Sequence, residues 1–426
     1  MYNTSRIKLT TVAALIILLL LTPLFSQAQN RINMPYSIYG IGEIKFNHYY
    51  QNMGMAGISQ GFRSNMSVND VNPASYSAVD STSFVFDATM VAHFYEQQTN
   101  DISQQSDYVS LGNISFAFPV YSWWSVGAGI KPYSLMGYNF RDVEEHPVLG
   151  TVNYVYQGSG GLTQLFLGSA IQPFEQLSLG LNVSYIFGDI NREASVMSDS
   201  AGVYQTNSLR SNRARGWVLG FGIQYEFELP NNRNLILGAT FGNDSDLDLS
   251  QHEFLRRRIP GTARYDTISS TEIGEGTLTL PQYAGFGVYS RINPNWSGGI
   301  DFQWQNWEDF TMPGHNHNFG NSYQLAAGVH YSPTIETYST FFHRMLYSFG
   351  LRYGQSYLKY DDEAINEFGI SFGAHIPVRR ALSGIKLGFE YSQRGSADDQ
   401  FMQESFYRMN IGINIYERWF IRRRFY

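Results

Sequence analysis

The chain has 426 residues, no cysteine and a formal net charge of −7. This excludes disulfides, thiol nucleophiles and cysteine-based zinc sites, and it offers no basic surface for nucleic acid. Aromatic residues make up 16%, glycine supplies 40 positions and charged residues only 15%, a mixture suited to a membrane β-barrel, where lipid-facing and lumen-facing residues alternate and cancel in any hydropathy average.

In chain order, residues 1–28 read as a signal peptide. Arg6 and Lys8 precede an apolar stretch from about 12 to 21, and Ser26, Gln27 and Ala28 form a small-residue cleavage site. The apolar stretch is short for a membrane span, which takes about 20 residues. Residues 29–80 follow as an irregular segment, too poor in charge for an obviously disordered tail. From 81 to 420 the pattern is period-two alternation bounded by turn residues. In GIKLGFEYS (384–392), Ile385, Leu387, Phe389 and Tyr391 share one face, and Lys386, Gly388, Glu390 and Ser392 share the other. Segments of this kind predict strands near 82–95, 107–118, 122–140, 151–171, 176–188, 215–229, 234–244, 280–292, 295–308, 321–332, 342–356, 364–376, 382–394 and 402–418. That is an all-β fold, an antiparallel transmembrane barrel of about 14 strands. The apolar face is expected to meet lipid. The polar face, where glycine alternates with Ser, Asn, Asp, Lys and Glu, is expected to line a lumen.

Short connections with turn chemistry at 119–121, 173–175, 230–233, 293–295 and 377–380 alternate with polar loops, the largest expected at 189–214 and 245–279. Residues 421–426, with Arg422, Arg423 and Arg424, read as a periplasmic tail at headgroup level. The third predicted strand carries Pro132 in its middle, flanked by Gly127, Gly129 and Gly137. Proline removes a ladder donor and a closed barrel has no edge to hide it, so a bulge or kink is expected there. The bland reading is a bulge that aids curvature; the functional one is a side exit from lumen to membrane.

No catalytic constellation is legible, so no enzyme, cofactor or metal is expected. DSDLD (244–248) has the alternate carboxylates of a calcium loop but Leu249 and Leu255 where glycine and glutamate belong. HNH (315–317) has no third ligand nearby. Asp301, His375, Lys386 and Glu390 fall on predicted lumen faces, where they are expected to fill the lumen as a polar network.

GMAGISQGF (54–62) followed by NPASYSAV (72–79), ahead of the first strand of such a barrel, resembles the FadL/TodX family of outer-membrane transporters of hydrophobic compounds. Gly54, Ala56 and Gly57, then Asp70, then Asn72, Pro73 and Ala74 carry the resemblance. The C-terminal ERWFIRRRFY looks like barrels of the Bacteroidetes group. The resemblance implies a plug, or hatch, formed by 29–80 in the lumen. It also implies passive admission of long-chain fatty acids or aromatic hydrocarbons, and lateral release at the kinked third strand. The implied partners are outer-membrane lipid, lipopolysaccharide and a hydrophobic ligand. A branch that looks like the same fold serves type IX secretion as a shuttle subunit, so a protein-interaction barrel is the alternative. Asn72-Pro73 is expected to end the plug, since proline biases the residue before it to an extended shape.

Overall fold

The computed structural model describes residues 34–45, 48–98, 103–198, 200, 204–231, 233–258, 262, 264–314, 319–333, 341–360, 363–378, 383–395 and 403–419. The expected signal peptide, the basic tail and the 315–317 loop lie outside them. A two-residue strand, β1 (Glu43–Ile44), belongs to the N-terminal segment. The wall follows: β2 (Ser83–Gln98), β3 (Ser103–Tyr121), β4 (Trp124–Pro132), β5 (Ser134–His146), β6 (Gly150–Phe174), β7 (Leu177–Ser198), β8 (Thr206–Leu229), β9 (Arg233–Gly242), β10 (Ser245–Arg258), β11 (Tyr265–Leu280), β12 (Tyr283–Arg291), β13 (Trp296–Gln305), β14 (Ser322–Tyr331), β15 (Leu346–Tyr360), β16 (Glu363–Pro377), β17 (Gly384–Arg394) and β18 (Gln403–Arg418).

Every wall pairing is antiparallel, and β18 closes on β2 from Gln403↔Gln98 to Arg418↔Ser83. Three wall strands are split. β4 and β5 both pair with β6, β9 and β10 both pair with β8, and β11 and β12 meet β10 and β9 in turn. Counting each split strand once gives the closed barrel of 14 strands expected from the alternation.

The two faces fall as the alternation requires. On β18, Tyr407, Met409, Ile411, Ile413 and Ile415 are exposed on the outer wall, while Arg408, Asn410 and Asn414 are buried inside. Around the ring, Met90, Leu167, Trp217, Phe286, Ile300, Leu325, Leu351 and Phe372 continue the exposed apolar belt.

The two long loops differ from expectation. Most of 189–214 and 245–279 is ladder: β7 runs to Ser198, β8 begins at Thr206, and β10 and β11 form a hairpin. Outside an apolar environment a strand needs no apolar face. These hairpins therefore carry polar residues on both sides and show no two-residue hydropathy period, although their backbone pairing is continuous. At this end of the barrel an apolar cluster that includes Ile41, Leu247, Leu278, Trp307, Phe319 and Tyr357 is closely packed. Trp307 stacks on Tyr357 at 4.3 Å between ring centroids.

Candidate functional site: the N-terminal segment and the broken third strand

The third wall strand is interrupted at Tyr133. Pro132 itself stays in the ladder, opposite Thr163, and the break falls one residue later. The Tyr133 N–H donates to the Leu162 carbonyl at 2.8 Å, and its carbonyl accepts from the Lys45 N–H at 2.8 Å. Beyond the break β5 leaves β3. Ladder pairs join β3 to β4 only from Ile114 onward, and among the described residues none joins β3 to β5. The edge of β5 that β3 would have taken is occupied by the N-terminal segment. β1 pairs Glu43 with Leu135 and Ile44 with Ser134, and the Met34 N–H donates to the Gly137 carbonyl at 2.7 Å. Beside the break lies a hollow of about 790 Å³ lined by Leu135, Met136 and Leu162 together with polar Asn139, Gln157 and Asp189.

From Tyr49 to Tyr76 the segment lies against inward-facing residues of strands all round the ring. The contact needs glycine on the wall. A Cβ on Gly238 would stand 1.9 Å from the Gln60 carbonyl oxygen, and one on Gly180 would stand 2.3 Å from the Pro73 carbonyl carbon. Gly222 faces Asn72, Gly168 faces Tyr76, and Gly350 faces Met55 and Ala56 in the same way. Between these glycines, polar wall residues hold the segment's backbone. Asp301 accepts from the Ser59 N–H at 2.6 Å and the Gln60 N–H at 2.8 Å. Ser371 Oγ accepts from the Ala56 N–H at 2.9 Å, and Asn410 donates to the Tyr50 carbonyl at 2.7 Å. Asp87 accepts from the Val68 N–H at 2.6 Å. A backbone without regular structure carries unpaired polar groups, and burial is tolerable only where side chains take them up.

The motif residues fall along this contact. Gly54 packs on Gly373, Ala56 adopts a left-handed conformation with φ of 55° at the end of a 3-10 turn, and Gly57 has φ of 77°. Asp70 forms a buried ion pair with Lys131 at 3.0 Å, one residue before Pro132. Asn72 caps the 3-10 turn Pro73–Ala78: its Oδ1 accepts from the Ala74 N–H at 3.1 Å and its Nδ2 donates to the Gln60 carbonyl at 2.8 Å. Its ψ of 103° is the extended shape that a following proline favours. Pro73 and Ala74 lie against Gly180.

The three glycine positions of the third strand divide between two tasks. Gly127 faces the Tyr76 ring, Gly129 meets the Ile114 carbonyl and Phe166, and Gly137 bonds Met34 and Ser37 at the break. Asp301, His375, Lys386 and Glu390 do not meet as one network. Asp301 and Lys386 bond the N-terminal segment, the latter through Ser67 Oγ at 2.8 Å. His375 lies near the short-turn end. Glu390 belongs to a separate charged cluster, bonded by Arg352 at 3.1 Å and by Arg408.

That cluster is the part the sequence reading missed. Arg394 bridges Glu43 at 3.0 Å and Glu404 at 2.5 Å, and Arg352 and Arg408 both reach Glu367. Arg394, Glu404, Glu390, Glu367 and Arg408 occupy the polar period of adjacent strands, which was the available signal. Glu43 and Lys45, however, come from a segment with no pattern to place them. Burial pushes the Glu43 carboxyl up, but Arg394 and Lys45 beside it pull it below its ordinary value. Burial lowers Lys45 to about 8. His48 is half-buried; desolvation and the neighbouring Arg408 and Arg352 lower it to about 3, and it is neutral at pH 7. Among the described residues no cluster of His, Asp or Glu has the geometry of a metal site.

This architecture has solved relatives at low identity. The toluene transporter TodX of Pseudomonas putida aligns at a TM-score of 0.60 and 16% identity, covering 90% of this chain and 100% of its own. A FadL homologue from Pseudomonas aeruginosa aligns at 0.57 and 12%, covering 88% and 98%. The monoaromatic hydrocarbon channel CymD gives 0.57 and 13%, with the same coverage of 88% and 98%. At these identities the likeness is one of fold. No curated protein matches at the level of sequence. A family model does, over residues 8–426, and by it the chain belongs to the BamG family.

Proposed function

We propose that this barrel sits in the bacterial outer membrane and admits hydrophobic small molecules, long-chain fatty acids or aromatic hydrocarbons, by passive diffusion. The N-terminal segment plugs the lumen, and the break at Tyr133 is the lateral opening. One observation carries this reading: the wall is interrupted beside a hollow, and the plug's own backbone occupies the freed edge of β5. The exposed apolar belt supports the membrane setting, since soluble monomers rarely show contiguous apolar patches beyond a few hundred Å². An apolar solute gains about 25 cal/mol per Å² on leaving water. A sideways route also spares it the charged cluster around Arg394 and Arg408. The test is uptake of a labelled fatty acid by cells carrying the barrel with Pro132→Val and Gly137→Val, which extend the ladder past the break. Uptake equal to that of the parent, with the barrel folded, sinks the lateral route.

A second reading, a protein-interaction barrel such as a secretion shuttle subunit, is favoured by a different observation. The apolar cluster around Trp307 and Tyr357 is packed shut, and the hairpins β7–β8 and β10–β11 extend well past the apolar belt as continuous sheet. Purification in mild detergent separates the two: a stoichiometric protein favours this reading, and a co-purified apolar ligand favours the first.

A further inference from the structure

The short-turn end of the barrel holds a second cavity, of about 430 Å³, that neither reading uses. Its lining includes the apolar side chains of Phe62, Ile236, Tyr289 and Leu346. It also includes three cationic ones. Arg63 comes from the N-terminal segment, Arg291 from the end of β12 and Lys386 from β17, and the imidazoles of His330 and His375 also line the cavity.

The charges do not cancel. Glu226 is the one carboxylate lining the cavity, and it stands 3.9 Å from Arg63, a loose contact. Arg63 is bonded instead to Ser178 Oγ at 2.7 Å. Lys386 donates to Ser67 Oγ at 2.8 Å and has no carboxylate within 4.0 Å among the described residues. Asp87, whose charge acts on Lys386, already accepts from Val68, Ser67 and Asn414. Arg291 also lacks an ion-pair partner among the described residues. The Nε2 atom of His375 is buried without a hydrogen-bond partner. The ladder places His375 directly opposite Lys386.

We propose that this cavity binds a phosphate group carried next to an apolar body. Three cationic side chains, Arg63, Arg291 and Lys386, against two carboxylates, Glu226 in the lining and Asp87 behind Ser67, leave the cavity net positive, and a phosphate has several acceptor oxygens to share among donors arriving from three elements. Phe62, Ile236 and Leu346 supply the apolar contact that separates such a ligand from a free ion. Pockets of 300–1,000 Å³ with an apolar lining and a few convergent polar groups are the usual small-molecule site. The inference does not rest on the transport reading, because binding is measured without transport.

The test uses the full chain, folded in neutral phosphatidylcholine nanodiscs, with lysophosphatidic acid and inorganic phosphate as probes and titration followed by ³¹P NMR. Saturable binding of one lysophosphatidic acid per chain is expected, with lysophosphatidylcholine failing to compete. Arg291→Gln and Lys386→Gln should each weaken it about tenfold. Arg291 is exposed at the rim, so that variant keeps its fold, as heat-dependent gel mobility will report. If inorganic phosphate binds as tightly as the lipid and shows the same losses, the source is a free phosphate and the phosphate site stands without its apolar half. Binding of neither probe, or binding indifferent to both substitutions, overturns the proposal.

Discussion

A single methyl group on Gly238 should unseat the N-terminal segment. In Gly238→Ala the new Cβ lies 1.9 Å from the Gln60 carbonyl oxygen and 2.4 Å from its carbon, backbone atoms that no rotamer change can move. Ordinary contact begins near 3.4 Å, so Gln60 must retreat by about 1.5 Å. That motion breaks the hydrogen bonds from Gln60 N–H to Asp301, from Asn72 and Gln224 to the Gln60 carbonyl, and from Thr240 to the Gln60 side chain. At about 1 kcal/mol for each neutral bond and about 2 for the bond to a carboxylate, the loss is about 5 kcal/mol. This is a thousandfold or more in the fraction of time the segment is away. The wall itself gains, because alanine suits a strand better than glycine. The measurement is ion conductance of the purified barrel in planar bilayers, paired with protease nicking between 49 and 62. Gly216→Ala is the control, since the atoms nearest its Cβ would be those of Leu247 and Asp246 on the neighbouring strand and not of the N-terminal segment. If Gly238→Ala folds, yet conducts and resists protease as Gly216→Ala does, the tight seat is not what closes the lumen.

Deleting 29–66 should raise small-solute conductance more than any point substitution, because it removes the residues held by Asp301, Ser371 and Asn410 together; no rise leaves the segment a tether. Asp70→Asn should remove the carboxylate of a buried ion pair and cost about 3–5 kcal/mol, read as a lowered unfolding temperature, with Asp70→Asn/Lys131→Met recovering most of it. Arg394→Gln should break its bridges to Glu404 and to Glu43, leaving Glu43 with the looser Lys45 contact, and loosen β1 from β5, seen as faster hydrogen exchange at Ile44. Acidification should loosen the segment too. His48 titrates near 6.5 when released but only near 3 when desolvated and seated among Arg408, Arg352 and Lys45, so the seated form loses stability as pH falls below 6.5. His48→Gln should flatten the protease sensitivity between pH 7 and 5.

The wall was legible because a barrel strand between lipid and lumen writes its two faces into alternate residues. GIKLGFEYS shows this, with Leu387 and Phe389 out and Glu390 in. Legibility ended where the outer environment ended. Arg213, Arg257 and Asp266 in the long hairpins face water on a paired backbone, and nothing in their order distinguishes ladder from loop. Pro132 marked the broken strand to within one residue, because a missing N–H is a local fact. Arg394 meeting Glu43 was not legible, because the partners lie 351 positions apart and one of them sits on a two-residue strand.

The distances along the chain have a further consequence, for assembly. The segment from Tyr49 to Tyr76 is made before any wall strand, yet its bonds run to residues made near the end: Ala56 to Ser371 across 315 positions and Tyr50 to Asn410 across 360. Such contacts bring the cost of closing long loops before any return, which slows folding. This segment therefore has no home until β16, β17 and β18 arrive and β18 meets β2. Its seating reports that the ring is complete, and a barrel stalled one strand short would carry it loose.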